Sequence, residues 1–70
     1  MAKQVHSFII EGENINGDLI RYPFNIEDAD SFQQALTIVE QMAINILEEE
    51  DGGHIDIFDI DGEFIKDVEV

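Results

Sequence analysis

Cysteine is absent from this 70-residue chain, and so is tryptophan. Without thiols there can be no disulfide, no thiolate metal site and no thiol nucleophile, a composition that fits a reducing cytoplasm. Positive charge is nearly as scarce: Lys3, Arg21 and Lys66 stand against seventeen Asp and Glu, for a formal net charge of −14. Phosphate backbones and anionic membranes are held by Lys and Arg, so this balance argues against direct nucleic-acid binding and against adhesion to a membrane surface. No apolar run is of signal length or approaches the roughly 20 residues of a membrane span. The expectation is a soluble, unprocessed, cytoplasmic protein.

What is present is globular in kind. Hydrophobic residues make up 44% of the chain, too many for the highly charged, disordered class. There is no low-complexity tract, no linker and no internal repeat of useful length, so residues 1–70 read as one acidic domain. A chain this short buries only about 60% of the surface it exposes when unfolded, which leaves a marginal core. With disulfides excluded, oligomerisation is the commonest remaining support.

Two segments rich in β-branched and aromatic residues, Val5 to Glu11 and Leu19 to Ile26, flank Asn16-Gly17, the dipeptide favoured in two-residue hairpin turns. Centring the turn there pairs Ile9 with Phe24 and puts Val5, Ile9, Ile20, Tyr22, Phe24 and Ile26 on one face. Pro23 cannot donate a ladder hydrogen bond, which predicts an edge strand or a bulge. Asp28 or Asp30 is the expected cap of a following helix, with Asp30 and Gln33 as a reciprocal capping pair. From there Phe32, Ala35, Leu36, Val39, Met42, Ala43, Ile46 and Leu47 recur at three- and four-residue steps, the stripe of an amphipathic helix over roughly residues 31 to 50. Gly52-Gly53 supplies left-handed conformations to end it. The remainder reads as a second hairpin turning at Asp61-Gly62, with Ile55 facing Val68, Ile57 facing Lys66, and Phe64 and Val70 on the same side. The predicted fold is α+β, ββαββ: an antiparallel sheet of two hairpins packed on one long amphipathic helix.

In this register each hairpin carries a second apolar set, Phe8, Ile10 and Leu19 in the first and Phe58, Ile60 and Ile65 in the last. One helix covers one face of one sheet, so these six residues are expected to join two copies as a homodimer. The competing reading is a register wrong by one residue, which would make them core.

Ten of the seventeen acids lie between Glu48 and Glu69. Glu48, Glu49, Glu50 and Asp51 crowd the C-terminal end of the helix, where the helix dipole is itself negative and each anion costs a few tenths to about 1 kcal/mol. Asp56 falls opposite Asp67, a like-charged cross-strand pair. Stability does not select such placements. Together with Asp59, Asp61 and Glu63 these residues form a candidate acidic surface for a basic site on another protein, one that elsewhere holds nucleic-acid phosphates. The bland alternative is a solvated charge run.

Other chemistries fare worse. Asp56, Asp59, Asp61, Glu63 and Glu69 are hard oxygen ligands suited to Ca²⁺ or Mg²⁺, but the calcium-loop template fails. With Gly62 at its glycine, Ile57 and Val68 fall on the first and last ligand positions; with Gly17 there, Gly12 and Pro23 do. His6 and His54 are the only histidines, and neither has the base-and-orienter neighbours that nucleophilic catalysis needs; Ser31 sits at the helix start. No glycine-rich phosphate loop is present. No catalytic, cofactor or metal residue is assigned.

In charge, size and order of elements the chain resembles small bacterial or phage accessory proteins in general terms, nucleic-acid mimics that inhibit DNA-binding enzymes among them; it is similar to antitoxin-like sheet-and-helix modules only in the coarse order of elements, departing from them by an extra C-terminal hairpin strand and the lack of a DNA-binding appendage. No motif carries the likeness, so no site residues transfer with it. The expected function is a noncatalytic interaction module, an inhibitor or regulator that mimics nucleic acid and binds a basic protein surface. The alternatives are a homodimeric accessory domain and a weak divalent-cation binder.

Overall fold

The computed structural model describes residues 5–70. Strands β1 (His6–Asn14) and β2 (Leu19–Ile26), helix α1 (Phe32–Glu49), and strands β3 (Gly53–Asp59) and β4 (Phe64–Glu69) follow in that order. The strands form one antiparallel sheet in the order β2-β1-β3-β4, so the two hairpins meet along β1 and β3. The α+β, ββαββ fold is therefore as the residue pattern predicts. The order also leaves β2 and β4 as edges, and Pro23 lies on the β2 edge, where its missing N–H is tolerated.

The first hairpin is shifted by one residue from the sequence expectation. Phe8, not Ile9, pairs with Phe24, and Ile9 pairs with Pro23. The cause is the turn, which is a three-residue loop and not the two-residue one that Asn16-Gly17 suggests. The Asn14 N–H donates to Asp18 O and the Gly17 N–H to Asn14 O, both at 3.0 Å, and only Gly17 takes positive φ. Asn14 Oδ1 accepts the N–H groups of Asn16 and Asp18, each at 2.9 Å, and so braces the loop from within.

The consequence follows from the two-residue period of a strand: a one-residue shift exchanges the faces. Phe8 and Ile10, expected on a self-association surface, are 1% and 0% exposed, and the Phe8 ring lies 5.5 Å from that of Phe32 on the helix. Ile9 moves to the opposite face, and Val5 is exposed rather than core. Ile20 and Ile26 remain core as expected.

The second hairpin keeps the expected pairs Ile55 with Val68, Asp56 with Asp67 and Ile57 with Lys66, but a bulge follows and Phe58 pairs with Phe64. That extra residue is Ile65. It packs half-buried against the core instead of joining a self-association surface, and it turns Phe64 to the other face, where its ring meets that of Phe58 at 6.0 Å. Ile60 stands exposed in the turn.

The turns of the two hairpins are copies of one another. Asp59 repeats the loop-bracing bonds of Asn14: its N–H donates to Glu63 O at 2.9 Å, its carbonyl accepts the Gly62 N–H at 3.0 Å, and its Oδ1 accepts the N–H groups of Asp61 and Glu63 at 2.9 Å. The sequences agree, Asn14-Ile15-Asn16-Gly17-Asp18-Leu19-Ile20 against Asp59-Ile60-Asp61-Gly62-Glu63-Phe64-Ile65. A short internal repeat is present after all, hidden from a residue-by-residue search because most positions match by type rather than identity.

Helix α1 begins one residue later than expected. Ser31, not Asp28 or Asp30, is the cap: its Oγ accepts the Gln34 N–H at 3.1 Å, while Gln34 Oε1 accepts the Asp30 N–H at 2.6 Å. The stripe Ala35, Leu36, Val39, Ala43 and Leu47 buries against Phe8, Ile10, Ile55 and Ile57 to form the core. At the far end the Gly52 N–H returns to Leu47 O at 2.8 Å and the Asp51 N–H to Glu48 O at 3.3 Å, with Asp51 itself at φ 64°. Gly52 and Gly53 take positive φ as expected, at 119° and 127°, and Asp51 enters that region one residue ahead of them. Among the described residues no helix is long and apolar enough to cross a membrane.

Candidate functional site

Helix α1 covers one face of the sheet, and among the described residues nothing covers the other, the bare face. Strand register arranges the bare face in rows that run across the four strands. The first row is apolar: Pro23, Ile9, Phe58 and Phe64. The second is charged: Arg21, Glu11, Asp56 and Asp67. The third is Leu19, Glu13, His54 and Glu69. Neighbours within a row are about 4.8 Å apart and successive rows about 6.7 Å apart, from strand spacing and rise. A depression of about 250 Å³ opens between Ile9, Glu11, Arg21, Phe58 and Gly62, where the apolar and charged rows meet.

The charged row is electrostatically unbalanced. Arg21 Nε lies 3.6 Å from Glu11 Oε2, a solvent-exposed pair of modest strength. Arg21 is two strands from Asp56 and three from Asp67, so it does little for either. Asp56 is flanked by Asp67 on one side and Glu11 on the other. Its carboxyl is held above the usual aspartate range, first by partial burial, then by a hydrogen bond and like charge from Asp67 and by Glu11, against a lowering influence from His54.

The nine acids singled out in the sequence do not form one surface. Glu48, Glu49, Glu50 and Asp51 gather at the helix end beside the first turn, where Asn14 Nδ2 donates to Glu50 Oε2 at 2.9 Å. Asp59, Asp61 and Glu63 form the second turn at the opposite end of β3, about 20 Å away at strand rise. Asp56 and Asp67 sit between, on the bare face. Of the six apolar residues assigned to self-association, Leu19, Phe58 and Ile60 lie outside the core, Phe8 and Ile10 belong to it, and Ile65 packs half-buried against it. Ile9 and Phe64 take their place on the bare face, and what hid them was the loop length and the bulge.

Other candidate chemistry is occupied in structural roles. Ser31 caps the helix, and Ser7 Oγ donates to Asn25 Oδ1 at 2.7 Å. His6 packs edge-on to Phe32 with centroids 6.2 Å apart, and His54 is exposed between Glu13 and Glu69. Among the described residues no group of three or more His, Cys, Asp or Glu is arranged to hold a metal ion. Lys66 Nζ pairs with Glu40 Oε1 at 3.2 Å on the helix side of the sheet. A second depression, about 380 Å³, runs between the helix and the β2 edge along Tyr22, Phe24, Met42, Asn45 and Ile46 and contains no charged group.

Comparison with protein-family models, with curated proteins and with solved structures found no match.

Proposed function

We propose that the protein is a noncatalytic interaction module, an inhibitor or regulator, that binds a basic surface on another protein through the bare face of its sheet. The observation that carries this reading is the carboxylate row Glu11, Asp56 and Asp67 lying in register beside the apolar row Pro23, Ile9, Phe58 and Phe64. An apolar row offers area to bury, and an adjacent row of under-compensated carboxylates demands cations in the partner. A net charge of −14 also steers the approach of a cationic target.

The same row disfavours a second copy as the occupant. A two-fold dimer through this face would bring the carboxylates of one chain close to those of the other, and like charges opposed across an interface cost several kcal/mol. The edges offer little to strand addition either, since Pro23 interrupts β2 and the Ile65 bulge distorts β4.

The test is affinity capture from a lysate at low and at high salt, with the triple variant Glu11→Gln, Asp56→Asn, Asp67→Asn alongside. The reading expects a basic protein that is retained by the natural chain, elutes with salt, is displaced by nucleic acid and is lost from the variant. Recovery of the chain's own copies alone would favour the homodimeric accessory domain; equal capture by the variant would move the contact off the bare face.

A further inference from the structure

The flank of the molecule formed by β2 and the adjoining side of α1 differs in charge from the rest. Of the seventeen acids, only Glu40 falls within β2 or within the helix from Phe32 to Leu47, and Glu40 pairs with Lys66 of β4, on the far side of the helix. The one charge on β2, Arg21, lies on the bare face with its partner Glu11. Between helix and strand runs the depression of about 380 Å³ walled by Tyr22, Phe24, Met42, Asn45 and Ile46. Acids resume only at the two ends of the flank, with Asp18 and Glu48 to Asp51 at one and Glu27, Asp28 and Asp30 at the other.

The flank also carries both halves of a self-complementary contact. Phe24, Met42 and Ile46 are part-buried against the core and line the recess. Tyr22 stands beside it at the sheet edge, 50% exposed and stacked on Phe24 with centroids 6.5 Å apart. A two-fold contact needs one patch to supply projection and recess together, and this patch does. Aromatic and methionine side chains without charge are also the composition of an interface centre.

We infer that this flank joins two copies of the chain about a two-fold axis, with Tyr22 of each copy seated in the recess of the other. Charge selects a second copy as the occupant. A chain of net charge −14 repels its own copies except where carboxylates are missing, and the flank is such a place; it holds nothing to attract a basic partner. Area agrees. The helix runs for about 27 Å and the two layers are roughly 18 Å deep, so each copy buries about 500 Å² and the pair about 1,000 Å², the lower bound for a specific interface. Side chains make the contact and not strand pairing, since Pro23 interrupts the β2 edge. The bare faces stay open, so the dimer presents the carboxylate row twice. The inference goes beyond the basic-partner reading and does not depend on it.

The experiment is sedimentation equilibrium of the full chain over a range of concentrations, at low and at high salt, with amide NMR spectra of the same dilution series. Expected is a monomer–dimer equilibrium with a dissociation constant on the order of 10–100 µM in high salt. It should weaken as salt is removed, the opposite of a basic partner's response, because the acids at the ends of the flank are then unscreened. The amides that shift on dilution should be those of β2 and of the helix around Met42 to Ile46. Asn45→Glu places a carboxylate at the recess from an exposed helix position, and Tyr22→Thr removes the projection while keeping a residue suited to strands. Each should weaken association by about tenfold or more. Gln33→Glu adds the same charge two turns before Glu40, on the other side of the helix, and should leave association within about twofold. A chain that stays monomeric at about 1 mM in high salt would overturn the inference and leave the recess to an apolar ligand or another protein. A dimer that neither Asn45→Glu nor Tyr22→Thr weakens would overturn it by placing the contact elsewhere. Both outcomes leave the basic-partner reading standing, since its acids lie on the bare face.

Discussion

Glu11 and Asp56 face each other across the centre of the sheet and are separated by the same 45-residue offset that carries Asn14, stem of the first turn, onto Asp59, stem of the second. The two hairpins are thus related by an approximate two-fold axis that passes between these carboxylates. The backbone obeys that symmetry better than the chemistry does. Ile9 corresponds to His54, and Glu13 to Phe58, so the bare face is apolar toward one turn and acidic toward the other.

The repeat makes the turns exchangeable in one direction. Asp59→Asn keeps the oxygen that accepts two N–H groups and removes a charge, so stability should change by less than about 0.5 kcal/mol. Asn14→Asp keeps that oxygen too but loses the donations to Asp18 Oδ2 and Glu50 Oε2 and adds like charge beside both, a cost of about 1 kcal/mol. Urea unfolding of the two variants checks the asymmetry.

Asp51 pays for its φ of 64° with strain that glycine avoids, and it adds negative charge to a negative helix end. Asp51→Gly should stabilise the fold by about 1 kcal/mol, read as a higher urea midpoint with unchanged slope. A lower midpoint would mean that the Asp51 side chain contributes something the left-handed position does not reveal.

The face assignments are tested by a pair of truncations. Phe8 is core and Ile9 is not, so Phe8→Ala should cost about 3–5 kcal/mol while Ile9→Ala costs about 1 kcal/mol or less. Phe8→Leu, milder at about 1 kcal/mol, covers the case in which the alanine variant does not fold. Equal costs at residues 8 and 9 would contradict the register.

Asp56 ties stability to pH. Its carboxyl is held above the usual range in the folded chain, so the folded state binds the proton more tightly than the unfolded state does. The resulting stabilisation is fully present below the ordinary aspartate range and is lost as pH rises through the elevated folded value. Asp56→Asn removes the repulsion at neutral pH and should stabilise the fold there by a few tenths to about 1 kcal/mol, with the gain shrinking in acid. Thermal melts across that range, natural chain against variant, measure it.

Most of the fold was legible because its signals are local. Asn16-Gly17 and Asp61-Gly62 mark turns wherever they fall, the Phe32 to Leu47 stripe needs only three- and four-residue steps, and Pro23 announces an edge. The first register was not legible because it turns on what Asn14 does with its side chain: bracing the loop from residue 14 lengthens it by one and exchanges the faces of β1. The Ile65 bulge is likewise a response to the core rather than a sequence signal. The acids were legible as a total but not as a surface, since β3 carries those at Asp51 and those at Asp59 to opposite ends of the sheet. The pairing of Asp56 with Asp67 survived because it lies on the turn-distant side of that bulge.

The most direct test of the account compares two charge-removal variants against one basic partner recovered by capture, by titration calorimetry at a single salt concentration. One variant is Glu11→Gln, Asp56→Asn, Asp67→Asn on the bare face; the other is Glu48→Gln, Glu49→Gln, Glu50→Gln, Asp51→Asn at the helix end. The two differ in charge by only one unit, so a loss of overall field cannot separate them in favour of the first. The account predicts at least a tenfold loss of affinity for the bare-face variant and a smaller loss at the helix end. The reverse order would contradict it and place recognition at the helix terminus.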